Sequence, residues 1–116
     1  MKYDNDKPKL QLIPTHALNE AARVFAFGAE KYGENNWRLD IDKYGWTRHY
    51  GSIQRHLAAW NDGEDIDPES GLPHLAHAMT QLMILLQVVK DAPDCDNRFC
   101  NLEKALLRTK ATMEKG

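Results

Sequence analysis

Cysteine is nearly absent from this chain: Cys95 and Cys100 are the only two in 116 residues. A single Cys-x4-Cys pair lacks two of the ligands a structural zinc site needs, and it cannot form a disulfide framework. Free thiols in a reducing cytoplasm are the expectation. No apolar run approaches the roughly 20 residues of a membrane span. The stretch Met1 to Lys9 is polar and has no signal-peptide character. Charge of one sign is missing too: the net value of −2 gives no general attraction to polymeric nucleic acid or to an anionic membrane. Period-two alternation, internal repeats and low-complexity segments are also lacking, which excludes a β architecture and a solenoid.

What remains is helical periodicity. Residues 1–14 are polar and punctuated by Pro8 and Pro14, with Leu10, Leu12 and Ile13 able to tack an extended arm onto the domain. Thr15 is a candidate N-cap. Leu18, Ala22, Phe25, Ala29 and Tyr32 then hold one apolar face for four turns, and Gly33 suits the C′ stop, so a helix is expected from about 16 to 32. Residues 33–46 show neither period and are rich in turn formers, yet they carry Trp37, Tyr44 and Trp46. These aromatics either plug the end of a small core or bind something. Thr47 can cap a second helix, about 48–61, with an apolar stripe of Ile53, Leu57 and Trp60. His49 and His56 lie seven apart on a neighbouring face.

Pro73 suits the first turn of a third helix, which runs to about Lys90. Leu75, Met79, Leu82, Leu86 and Val89 form one of its stripes, widened by Ala78, Leu85 and Val88. Apolar on most sides, it should be the central helix, with His74, His77 and Gln81 as its polar line. A last amphipathic helix is expected at about 99–115, with Leu102, Leu106, Thr109 and Met113 on one face. The fold class is therefore all-α: one domain over residues 1–116, a bundle of about four helices around a central hairpin with an acidic loop.

That hairpin, Arg55 to His77, concentrates chemistry. Its turn carries Glu64, Asp65, Asp67 and Glu69 within six residues. Antiparallel pairing about residue 66 places His56 roughly opposite His77, with His74 one turn nearer the loop and close to Trp60. Helices packed about 8–10 Å apart allow facing imidazoles to bridge a small ligand or ion. The start of a helix disfavours imidazolium, so His74 and His77 tend to the neutral form, while the loop acids oppose this. Those acids must be solvated, cap backbone N–H groups, as Glu69 and Ser70 are placed to do, or share a divalent cation. Any one of these histidines alone would read as a hydrogen-bonded core residue. Their convergence favours a site.

The residues also resemble a known family. Gly28-Ala29-Glu30-Lys31-Tyr32-Gly33, Asn36-Trp37, Arg55-His56-Leu57 with Trp60, the loop Gly63 to Gly71, and His74-Leu75-Ala76-His77-Ala78 are together similar to the phage-associated dATP/dGTP diphosphohydrolases, over about residues 8–90. The resemblance implies an all-α, phage-encoded protein of the host cytoplasm. Its activity would be that of a MazG-like enzyme releasing pyrophosphate and a monophosphate from purine deoxynucleoside triphosphates with divalent metal. MazG-type enzymes carry Glu-Glu-x-x-Glu and Glu-x-x-Asp where this chain has Arg55-His56 with Trp60 and His74-x-x-His77. Loop acids or Glu30 would then supply the carboxylates.

On this reading His56, His74, His77 and Glu64 are catalytic, and Glu64, Asp65, Asp67, His74 and His77 hold the metal. The expected ion is Mg²⁺ or Mn²⁺, with Zn²⁺ or Fe²⁺ as alternatives. Lys31 and Arg55 face phosphate, Tyr32 and Trp37 stack on the base, Asn36 reads its edge, and Trp60 lies beside it. The competing reading is a non-catalytic phage protein that sequesters a signalling nucleotide. A homo-oligomer, by default a symmetric dimer, is expected in either case.

Overall fold

A computed structural model describes residues 6–100 and residue 106. Among these residues there are four α-helices and no strand: α1 (Thr15–Tyr32), α2 (Asn36–Leu39), α3 (Trp46–Asn61) and α4 (His74–Asp91). The all-α class is as expected, and no described helix is long and apolar enough to cross a membrane. The single turn α2 lies in the stretch that showed no period. Gly33 (φ 96°) and Asn35 (φ 59°) swing the chain out of α1 just before it. Phe99, Cys100 and Leu106 are helical; the rest of the expected C-terminal helix, 99–115, lies outside the described residues.

Helix boundaries follow local chemistry more closely than their caps do. Gly33 ends α1 as expected, its N–H donating to the Ala29 carbonyl at 2.8 Å. Thr15 and Thr47, however, both lie inside their helices, with Pro14 and Gly45 as the N-caps. The acceptor for the Thr47 N–H comes from 50 residues away, the Asn97 side-chain oxygen at 3.0 Å. A Cβ at Gly45 would meet the Asn97 side chain and force it to move. Trp46 donates its indole N–H to the Ala92 carbonyl at 3.0 Å. The segment after α4 is thereby fastened to the start of α3.

Helix α4 is central, packed on α3 along one side and on α1 along another. The faces it uses are not the expected ones. On α1 the buried residues are Ala21 and Val24, with Ala17 and Gly28 half-buried, whereas Leu18 and Tyr32 are exposed. That is a rotation of one residue, about 100°. It lets α4 approach over small side chains, close enough for the Thr80 hydroxyl to reach the Ala21 carbonyl at 3.5 Å. On α3, Ile53 is buried as expected. Leu57 and Trp60 face out, and the half-buried His49, Ser52 and His56 turn toward α4.

On α4 itself, Ala76, Ala78, Thr80, Ile84 and Val88 are buried, while Leu75, Leu82, Leu86 and Val89 are exposed. The α3–α4 seam carries polar groups at one end. Ile84, Val88 and Ala92 make the apolar end of the core, with Phe25, Trp37, Ile41 and Trp46 packed against them. Trp37 and Trp46 thus do plug the bundle end. The arm does not tack on: Leu10–Leu12 is a 3-10 turn, and Leu10, Leu12 and Ile13 are exposed.

Candidate active site at the histidine hairpin

The acidic loop is a built structure. Gly63 (φ 101°) turns the chain out of α3, and the Glu64 N–H donates to the Ala59 carbonyl at 3.0 Å. Across the loop, an antiparallel bridge joins Ile66 and Pro73, and the Asp67 N–H donates to the Leu72 carbonyl at 2.9 Å. The Asp65 carbonyl accepts the His74 N–H at 2.9 Å, satisfying one of the orphan donors at the start of α4. That backbone contact is what the structure shows for Asp65, whose residue is exposed and is not among the clustered carboxylates. Glu69 and Ser70 do not cap α4. Ser70 Oγ accepts the Leu72 N–H at 3.1 Å, and Glu69 pairs with Lys31 from the end of α1.

Within this frame the three imidazoles meet. His74 is buried, and both its ring nitrogens are engaged: Nε2 lies 2.6 Å from Glu64 Oε1, and Nδ1 lies 2.9 Å from His56 Nδ1. The His56 ring stacks on that of His77 with centroids 4.6 Å apart and planes within 6°. His77 Nε2 stands 2.6 Å from Ser70 Oγ and 3.5 Å from Asp67 Oδ2. Asp67 is pre-aimed, because its other oxygen accepts the Glu69 N–H at 3.0 Å. Burial lowers the pKa of His56, and the neighbouring His77 lowers it further against the pull of Asp67. Burial also lowers that of His77, opposed by Asp67. His56 and His77 are thereby kept neutral at neutral pH, and a neutral imidazole can accept a proton or donate a lone pair.

Two clefts open beside the cluster. One, of about 750 Å³, runs from α1 and α2 to α4 and is walled by Phe27, Tyr32, Asn36, Trp37, His77 and Gln81 among others. The other, about 470 Å³, lies between α2 and α3 and reaches Arg48 and Arg55. Tyr32, Asn36, Trp37, His49 and Gln81 belong to both walls. The first volume falls in the ordinary range for small-ligand sites, about 300–1,000 Å³.

A sequence family described as dATP/dGTP diphosphohydrolase, N-terminal, matches residues 1–98. The chain belongs to this family. A protein of Salmonella phage PMBT28 named dATP/dGTP diphosphohydrolase is 36% identical over 99 residues, covering 84% of this chain and 32% of the phage protein. The chain thus spans about a third of that relative's length. No solved structure matches it.

Against this diphosphohydrolase family, the residues expected from sequence divide cleanly. Glu64, His56, His74, His77 and Asp67 are brought together, and Tyr32, Asn36, Trp37 and Arg55 line the clefts. Lys31 is held by Glu69 over the Phe27 and Tyr32 rings, and is in neither cleft wall. Trp60 sits half-exposed outside both. Sequence reasoning passed over His49 and Gln81 as site residues, although each had been placed on the right face. Gln81 Nε2 donates to His49 Nδ1 at 2.9 Å, and burial lowers the His49 pKa. Ser70, read as a cap, is instead the hydroxyl against His77.

Proposed function

We propose that this chain hydrolyses purine deoxynucleoside triphosphates, dATP or dGTP, to the monophosphate and pyrophosphate. The observation that carries the reading is that the imidazole–carboxylate cluster adjoins, through His77, a cleft with a stacking wall in a member of this family. His77 belongs both to the cluster and to the wall of the larger cleft, which it shares with Tyr32, Asn36 and Trp37. A flat base stacks against Trp37 or Tyr32, and Asn36 offers an amide to its edge. Arg55, on the wall of the second cleft, makes the bidentate contact to phosphate oxygens for which guanidinium is suited.

Carboxylates beside a polyphosphate repel it unless a cation lies between them, so the reading includes a divalent metal at the hairpin. Such an ion, when bound, neutralises phosphate charge and lowers the pKa of a water. The protein's own part is positional. Glu64 holds the ring of His74 against His56, which fixes the orientation of the imidazole cluster beside the cleft. Phosphoryl transfer needs in-line placement of nucleophile and leaving group more than covalent chemistry, and rigid helices supply it.

No contact in the site favours the sequestering binder over the hydrolase. The assay is direct: incubate the protein with dATP or dGTP and Mg²⁺ or Mn²⁺, and separate the products. Monophosphate and pyrophosphate are expected. Stoichiometric nucleotide binding without turnover under any metal would overturn the hydrolase in favour of a binder.

A further inference from the structure

We propose that His56, Asp67 and His77 form a three-ligand site for a divalent transition-metal ion, Mn²⁺, Fe²⁺, Co²⁺ or Zn²⁺ rather than Mg²⁺, with Glu64 and His74 as positioning residues. The set expected from sequence is Glu64, Asp65, Asp67, His74 and His77; here His56 is brought in and Glu64, Asp65 and His74 are left out. One ligand atom from each of the three residues lies within 4.8 Å of the others. Ligands at about 2.1 Å from a shared ion stand roughly 3.0–3.4 Å apart, so the side chains must close in and the two rings must rotate out of their parallel stack to share one ion. The His77 Nε2 to Asp67 Oδ2 separation, 3.5 Å, is already near that edge length. The parallel stack of His56 on His77 is the part that must open toward the ion.

The hydrogen bonds determine which lone pairs are available. His74 Nε2 lies against the Glu64 carboxylate and donates to it. In the tautomer in which His56 donates from Nδ1 to His74 Nδ1, the His56 Nε2 is left carrying the lone pair. On the other side, Ser70 Oγ accepts the Leu72 N–H and lies 2.6 Å from His77 Nε2, to which it can donate its own proton. That nitrogen too carries a lone pair in this arrangement. Glu64–His74–His56 is the outer-shell order, carboxylate to imidazole to ligand, that fixes tautomer and ring orientation in metal sites. Asp67 is oriented by the Glu69 N–H.

Two imidazoles and one carboxylate suit first-row transition ions with open positions, whereas Mg²⁺ takes oxygen ligands and water. An ion held there would lie beside the cleft that His77 lines, from which a phosphate oxygen and a water could reach it. That last role rests on the hydrolase reading above; uptake of the ion does not.

The test is calorimetric titration of EDTA-stripped full chain with MnCl₂, CoCl₂, ZnCl₂ and MgCl₂, together with the visible spectrum of the Co²⁺ form. One transition ion per chain is expected, with Mg²⁺ at least about 100-fold weaker. Asp67→Asn and His77→Gln should each weaken uptake about 100-fold or more while helical circular dichroism is kept, and His56→Gln serves if His77→Gln does not fold. Glu64→Ala should weaken uptake about 10- to 100-fold and shift the Co²⁺ spectrum, which a merely structural role would not move. No stoichiometric uptake of Mn²⁺, Co²⁺ or Zn²⁺ overturns the site, as does unchanged uptake in both Asp67→Asn and His56→Gln. Turnover of dATP with Mg²⁺ alone and no transition-ion uptake would sink the site yet keep the hydrolase. Uptake without turnover would sink the hydrolase and keep the site.

Discussion

His74→Ala is the substitution whose effect the structure defines most sharply. The residue is 5% exposed and joins the acidic loop to α3, with Glu64 on one ring nitrogen and His56 on the other. Large-to-small changes at buried positions cost about 2–5 kcal/mol through lost packing and the cavity left behind. Each of its two hydrogen bonds contributes on the order of 1 kcal/mol. Glu64 is half-exposed and returns to water at little cost, so only the His56 contact adds much. The expected loss is therefore about 3 kcal/mol, a large part of the roughly 5–15 kcal/mol that holds a domain of this size. With a urea m-value of about 1–3 kcal/mol/M, the midpoint should fall by about 1–3 M. Fluorescence of Trp37, Trp46 and Trp60 reports the transition. Asp65→Asn is the matched control, since Asp65 contributes its backbone carbonyl, and it should move stability by less than about 0.5 kcal/mol. A loss below about 1 kcal/mol for His74→Ala would refute the claim that this ring ties loop to helix.

Gly45→Ala should destabilise by about 1 kcal/mol or more, because the new Cβ displaces Asn97 and removes the acceptor at the start of α3; Asn97→Ala should reproduce the cap part of the loss in thermal melts. Stability of the metal-free protein should fall as pH drops below about 6.5, the ordinary histidine value. Burial lowers the folded-state pKa of His49, His56 and His77, so the unfolded chain binds more protons there and acid pulls the equilibrium toward it; a flat profile in urea titrations between about pH 7.5 and 5.5, a window around the ordinary histidine value, would contradict this. Arg55→Ala should raise KM for dATP about tenfold or more, whereas Trp60→Ala, outside both clefts, should leave it within about twofold. Leu75, Leu82, Leu86 and Val89 recur at seven-, four- and three-residue steps on an exposed face, and no charged residue stands between His74 and Val89. This spacing is one that meshes a helix with its own copy; if it does so here, sedimentation should show a dimer that Leu86→Glu converts to monomer, and a wild-type monomer would reject that pairing.

The sequence by itself determined the all-α class, the extents of the three long helices to within about two residues, and the meeting of His56, His74 and His77. The reason is local. A helix announces itself by period and stop signals, and a short loop between antiparallel helices forces residues equidistant from its midpoint together, whatever else surrounds them. Which face of each helix is buried was decided only in three dimensions. Helices α1 and α4 each carry more than one apolar stripe, and α4 selected Ala21 and Val24 over Leu18 because small residues allow closer packing. Selection within the acidic loop was likewise tertiary. Asp67 reaches His77 and Asp65 does not, because the Ile66–Pro73 bridge and the Glu69 N–H aim one carboxylate inward. The His49–Gln81 bond and the Asn97 cap join positions 32 and 50 residues apart. Contacts of that span depend on how α3 and α4 register against each other, which no local period encodes.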